Sequence, residues 1–266
     1  MPRKPKMSIE PVVLLAGGLG TRLREGTESR PKPMLEIGGR PILWHIMKYF
    51  AQFGHTEFII CAGYKSEVIA DFLLNYRTYN EDFTVTLGTD DPILFEEKVN
   101  NENWKVTLAH TGDSSVGTGG RILNVKHLVG DRRFICTYGD GLADIDLEEL
   151  KKSHRESGLI ATLSAIHPVS RYGILDLTPT NKVASFQEKP RAEGWVNGGF
   201  FVFEPQIFNH LTPKCILERE PLMHLASAGQ LNAFLHDGFW QSMDTFREYE
   251  LLNHLWETSD PPWKIW

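Results

Sequence analysis

A chain of 266 residues with 41% hydrophobic and 23% charged residues has the composition of a globular protein long enough to bury a sizeable core. Its formal charge of −6 argues against nonspecific nucleic-acid binding, which needs a basic surface, and no stretch approaches the ~20 apolar residues of a membrane span. Cys61, Cys136 and Cys215 form no CxxC pair and read as free thiols. The basic start MPRKPKM is followed by no apolar run of a secretory signal, so a cytoplasmic protein without nucleic-acid or membrane partners is expected.

In chain order, PVVLL (11–15) reads as a buried strand and PILWHIMKYFAQF (41–53) as a helix, with Pro41 suited to its first turn and Gly54 to its stop. EFIICAG is a strand, SEVIADFLLNYR a helix, WKVTLAH a strand, GRILNVKHLV a helix and RFICTY a strand. Asp146 is placed to cap the helix DLEELKKSHRES, with Gly158 after its end. Strands joined by helices predict an α/β fold: a Rossmann-like, mostly parallel sheet with helices on both faces. Beyond residue 158, LIATLSAI, YGILDL, KVASFQEK and GGFFVFE are strand signals with short breaks, and predict a smaller antiparallel or mixed extension. TFREYELLNHLWET closes the chain as a helix, and two Trp in the tail SDPPWKIW are available to pack on the body or on a partner.

The loop after the first strand, LAGGLGTRL, holds Leu15, Ala16, Gly17, Gly18, Leu19, Gly20, Thr21 and Arg22. In open parallel sheets, ligands gather beyond the carboxyl ends of the strands. The glycines allow backbone N–H groups to face one concavity, which suits phosphate oxygens. A Walker A loop is absent, and the dinucleotide pattern fails because Leu23 stands where its third glycine belongs. Arg22 offers a planar fork for phosphate, and Lys32 a point charge whose direction Pro31 and Pro33 constrain. The plainer alternative is a surface loop with two solvated cations.

LAGGLGTRL followed by RPKPM resembles the signature of the sugar-1-phosphate nucleotidyltransferases. The stretches IGGRPILWHIMKYF, FIICAGYK, TGGRI, TYGDGLAD, FQEKP, NGGFFVF, EPLMHLA and GFWQSMDT are similar to the cytidylyl branch of that superfamily. The resemblance covers residues 11–266 and leaves residues 1–10 as an extension. It implies transfer of CMP from CTP to a sugar 1-phosphate, most simply glucose 1-phosphate, with Mg²⁺ as cofactor and a homo-oligomer, up to a hexamer, as the assembly.

Asp140 in YGDG reads on its own as an Asp-Gly turn, and Asp244 as a neighbour of a capping box made by Thr245 and Glu248. The resemblance makes both Mg²⁺ ligands and adds Asp140 to Arg22 and Lys32 as catalytic. It places the nucleotide against residues 15–22, Lys32, Ser115, Thr118, Arg121 and Gly139, although one residue more than the family pattern separates Ser115 from Gly119. It places the sugar phosphate against Tyr172, Gly173, Glu188, Lys189 and Asn197. The plainer alternative for Glu188–Lys189 is a solvated charge pair at a strand end. His45, in an apolar helix, reads as a satisfied core histidine. Two alternatives remain: the same chemistry with dTTP, UTP or another phosphorylated substrate, and a non-catalytic subunit that binds sugar phosphate or nucleotide.

Overall fold

Seven strands form one sheet: Val12–Ala16 (β1), Glu57–Ala62 (β2), Lys105–His110 (β3), Phe134–Tyr138 (β4), Ala161–Ile166 (β5), Val196–Phe203 (β6) and Leu231–His236 (β7), in the order β7-β5-β6-β4-β1-β2-β3. The structure, a computed structural model, describes residues 10–18, 30–88, 93–95, 102–113, 115–170, 172–188, 190–191, 194–258 and 260–266. β1 pairs in parallel with β2 and β4, β2 with β3, and β5 with β7, while β6 runs antiparallel to both β4 and β5.

The mostly parallel sheet is therefore as expected, with β6 the one reversed strand among the seven. The mixed character of the second half takes two forms. β5, β6 and β7 continue the main sheet. Ile174–Leu177 and Val183–Gln187 make a separate antiparallel hairpin outside it. The sequence assigned no strand to β7, whose residues LNAFLH are only partly covered, as an edge strand allows.

Strand side chains alternate between two apolar layers, as period-two geometry requires. Val12, Leu14 and Ala16 enter one layer with helices Ile42–Gln52 (α1) and Ser66–Leu74 (α2). Val13 and Leu15 enter the other with helix Thr118–Asn124 (α3). Helix Leu147–Ser157 (α4) has the predicted cap: Asp146 accepts from the backbone N–H of Glu148 and Glu149, and Gly158 follows in a left-handed conformation. Helices Glu220–Ser227 (α5) and Phe246–Glu257 (α6) complete the set, the latter with the predicted capping box of Thr245 and Glu248. The predicted helices over 66–77 and 120–129 each break once, at Asn75 and at Val125, into shorter pieces.

No helix among the described residues is long and apolar enough to cross a membrane.

Candidate active site

Strand order places β1 beside β4 at the centre of the sheet, and both end at the same edge. The crevice outside the carboxyl ends of two such strands is where an open sheet binds ligands. Gly139, just past β4, donates its N–H to the Leu15 carbonyl at 2.9 Å. A Cβ on Gly139 would stand 3.0 Å from that oxygen and 3.2 Å from Pro33 Cγ, so a larger residue would push the three segments apart by a few tenths of an ångström.

Lys32 sits in a single 3₁₀ turn, Lys32–Met34, which follows extended Pro31 and packs Pro33 against this junction. The side chain is almost entirely covered, at 10% exposure. Its Nζ donates to Asp140 Oδ2 and Asp244 Oδ1, both at 2.6 Å. Burial by itself lowers the Lys32 pKa, but the Asp140 charge and the hydrogen bonds to both aspartates outweigh it and hold the pKa above the ordinary lysine value.

Asp140 and Asp244 lie 104 residues apart in the sequence and are neighbours because of one register. After β4 the chain turns into Gly141–Ala143, which pairs antiparallel with Trp240–Ser242, Gly141 opposite Ser242. Met243 then donates its N–H to the Asp140 carbonyl at 2.8 Å, and Asp244 follows. Ser242 Oγ donates to Asp244 Oδ2 at 3.1 Å, and the Asp244 N–H is held by Glu248 Oε2 at 2.7 Å. Asp244 thus enters the site on the stem of a capped helix. The two carboxylates converge on one cation from different elements, which is the donor set of a hard divalent ion completed by phosphate oxygens. No cluster of three or more His, Cys, Asp or Glu side chains suited to a metal occurs among the described residues.

Arg121 is buried against Gly17 rather than at the surface. Its Nη2 donates to the carbonyls of Gly17 at 3.2 Å and Asp113 at 2.6 Å. Nη1 donates to Ala62 O at 3.3 Å, Gly112 O at 3.2 Å and Thr111 Oγ1 at 2.9 Å. One guanidinium therefore ties together the chain segments leaving β1, β2 and β3. Burial lowers its pKa relative to a free arginine, and its five hydrogen bonds go to four carbonyls and one hydroxyl.

Ser115 donates both its N–H and its hydroxyl to Asp113 Oδ1, at 2.8 and 2.6 Å. Thr118 donates to Glu218 Oε2 at 2.6 Å. Of the residues expected to meet the sugar phosphate, Tyr172 is exposed, and Glu188 approaches Gly173, where a Cβ would lie 3.2 Å from the carboxylate. Asn197, second in β6, donates to the Tyr138 hydroxyl at 3.2 Å. The structure brings Leu15, Ala16, Gly17, Lys32, Gly139, Asp140 and Asp244 to one sheet edge, with Arg121 behind Gly17. Gly18 is exposed just past them. Leu19, Gly20, Thr21, Arg22 and Lys189 lie outside the described residues. Sequence reasoning passed over Tyr138 and Glu218, which are hydrogen-bonded to each other; Tyr138 was in view only as the end of a strand next to Asp140.

Comparison with known proteins bears on this geometry. Residues 11–241 match the family model described as "Nucleotidyl transferase". A glucose-1-phosphate cytidylyltransferase of Salmonella typhimurium is 48% identical over 96% of this chain and 98% of that protein. A probable glucose-1-phosphate cytidylyltransferase of Bacillus subtilis is 40% identical over 96% of this chain and 99% of its own length. Among solved structures, HddC from Yersinia pseudotuberculosis is similar with a TM-score of 0.67 at 26% identity, covering 93% of this chain and 99% of HddC.

Proposed function

The chain belongs to the nucleotidyl transferase family, and on that premise we propose that it transfers CMP from CTP to α-D-glucose 1-phosphate, releasing pyrophosphate and forming CDP-glucose. The observation that carries this reading is the convergence of Lys32 with Asp140 and Asp244 at the carboxyl edge of β1 and β4. A site that must bring two polyanions together needs a fixed cation and a carboxylate pair at the same point.

In the reaction, a phosphate oxygen of the sugar 1-phosphate forms a bond to the α-phosphorus of CTP. The bond from that phosphorus to the bridging oxygen breaks in line, and pyrophosphate leaves with the electron pair. The attacking oxygen is already anionic near neutral pH, so positioning and charge neutralisation supply the catalysis without a dedicated base. Lys32 is assigned to the charge developing on the reacting phosphoryl group, and Arg22 to the triphosphate. The backbone N–H groups of the loop from Gly17 onward are assigned to the phosphates, and Arg121 holds Gly17 through its carbonyl. Tyr172, Gly173, Glu188, Lys189 and Asn197 are assigned to the sugar phosphate, and Ser115, Thr118 and Gly139 to the nucleotide.

Asp140 and Asp244 are the residues assigned to Mg²⁺, since they offer only oxygen and already face a common cation. When bound, Mg²⁺ supplies neutralisation of phosphate charge. A homo-oligomer of this chain is part of the same reading, checked by light scattering on the purified protein.

The deciding experiment measures pyrophosphate release with Mg²⁺ and glucose 1-phosphate, offering CTP, dTTP, UTP and ATP separately. Release with CTP alone is expected. Release with another nucleotide in place of CTP would keep the chemistry and reassign the base, and silence with all four would point to a protein that binds without turnover.

A further inference from the structure

Glu218 belongs to the segment between Leu211 and α5, which has no part in the chemistry described above. Its carboxylate nevertheless touches both halves of the site. Oε2 accepts from Thr118 Oγ1 at 2.6 Å, and Oε1 accepts from the Tyr138 hydroxyl. Thr118 opens α3 beside the loop assigned to the nucleotide, and its Oγ1 also accepts from the Leu217 N–H at 2.9 Å. Tyr138 is the last residue of β4, two before Asp140, and its hydroxyl accepts from Asn197 Nδ2 at 3.2 Å. Asn197 is steadied in turn by the Gly199 N–H, 2.9 Å from its Oδ1. The Tyr138 ring lies flush on Gly199, where a Cβ would stand 2.3 Å from a ring carbon and where φ is 82°. Thr118, Glu218, Tyr138 and Asn197 thus form an unbroken hydrogen-bonded chain from the nucleotide side to the sugar side. Burial, and after it the Glu218 carboxylate, push the Tyr138 phenol far above its ordinary pKa, so the hydroxyl keeps its proton as a donor.

We propose that Glu218 is a positioning residue that couples nucleotide binding to sugar-phosphate binding. The proposal rests on the assignment of Thr118 and Asn197 to the two substrates. A carboxylate presents two separate acceptor oxygens, and here each takes one hydroxyl. Glutamine keeps the shape but replaces one acceptor with an amide donor, so either the Thr118 or the Tyr138 hydroxyl loses its acceptor. Ordering of Thr118 by a bound nucleotide would then no longer be transmitted to Asn197, and by linkage a bound sugar phosphate would no longer assist the nucleotide.

The test is calorimetric. Glucose 1-phosphate is titrated into the protein with Mg²⁺, with and without an α,β-methylene analogue of CTP, in the wild type, Glu218→Gln and Tyr138→Phe. In the wild type the analogue is expected to tighten the sugar phosphate at least ~5-fold, the lower end of ordinary site-to-site coupling. In both variants that ratio should fall towards one, while affinity for the analogue alone changes less than about 3-fold. A purely structural role would instead weaken both ligands in parallel and leave their ratio intact, and that result would overturn the proposal. Tyr138→Phe keeps the ring on Gly199 and gives the same readout if Glu218→Gln does not fold. A wild type that binds both ligands without mutual effect sinks the coupling alone. A wild type that binds neither sinks the functional reading and this proposal together.

Discussion

Lys32 keeps its positive charge despite burial because two carboxylates surround its ammonium. Its folded pKa lies above the unfolded value, so the stabilisation it provides is fully present below about pH 10.5 and is lost only as pH rises through the folded value. Lys32 therefore does not titrate near neutrality, and an acid limb in the rate profile has to come from another group. Replacing Lys32 with Ala should lower kcat by ~10²–10³-fold, the cost typical of removing one preorganised electrostatic contact, as measured by steady-state pyrophosphate release. His45 presents the opposite case. It is fully buried, donates from Nε2 to the Ile37 carbonyl at 2.8 Å, and receives Trp263 Nε1 on Nδ1 at 3.5 Å. Burial lowers its pKa to about 4, so it stays neutral in the folded chain. Between pH 6.5 and pH 4 the unfolded chain takes up a proton there that the folded chain refuses, so stability falls as the pH drops through that window. The full window is worth about 3 kcal/mol on the scale of 1.36 kcal/mol per pKa unit. His55 and His154, also lowered by burial, act in the same direction. Urea denaturation at pH 7 and pH 5 should show the loss, and His45→Gln should reduce its slope without abolishing it.

Helix α6 is the element on which the site geometry depends most. Its first turn holds Asp244 through Glu248, whose carboxylate receives the N–H of both Asp244 and Thr245, at 2.7 and 2.8 Å. Farther along, Asn253 Oδ1 accepts from the Gly38 N–H at 3.1 Å, and Asn253 Nδ2 reaches the Glu36 carbonyl. One helix therefore fixes Asp244 at its start and, lower down, braces the turn that follows Lys32. Glu248→Ala should cost roughly 1–2 kcal/mol of stability, the range of a lost cap. It should also weaken Mg²⁺ dependence, because Asp244 loses the clamp on its backbone. A Mg²⁺ titration of the rate, read beside thermal melting, separates the two effects: a melting shift with an unchanged Mg²⁺ midpoint would contradict this role. The cap itself was legible in the sequence, since Thr245 and Glu248 stand at capping-box spacing. β1 and β4 were legible as well, being mostly apolar runs that lead into glycine-containing turns. The pairing of Asp140 with Asp244 was implied by the family resemblance and by no local pattern, because it depends on the pairing of Gly141–Ala143 with Trp240–Ser242, two three-residue strands too short to carry a period. Glu218 was invisible for a similar reason. It lies in a segment with no periodicity, and only the folded chain brings it to Thr118 and Tyr138.

At the scale of the whole molecule, the sheet separates two apolar layers, and the chain end helps seal one of them. Trp263 is fully buried, stacks on Phe239 and meets the His45 ring, while Trp266 approaches both His45 and Trp44. Of the two destinations the sequence left open for these residues, a partner or the body, the structure places both on the body. His45 is consequently dry because residues more than two hundred positions later cover it, and a local reading of helix α1 could establish only that a histidine sits in an apolar stripe. This couples the tail to the acid behaviour of the core. Trp263→Ala removes a large ring from a closed layer and should cost about 3–5 kcal/mol, as for other fully buried aromatics. It should also admit water to His45 and take away the donor on Nδ1. Desolvation is the main cause of the lowered pKa, so in the variant the His45 pKa should climb back towards its ordinary value. The variant would then be less stable at pH 7 but lose less additional stability between pH 7 and pH 5 than the wild type. Urea midpoints for the two proteins at the two pH values give four numbers that decide it. Parallel acid losses would show that Trp263 contributes packing alone, and a smaller loss in Trp263→Ala would show that the last residues of the chain set the protonation of its first helix.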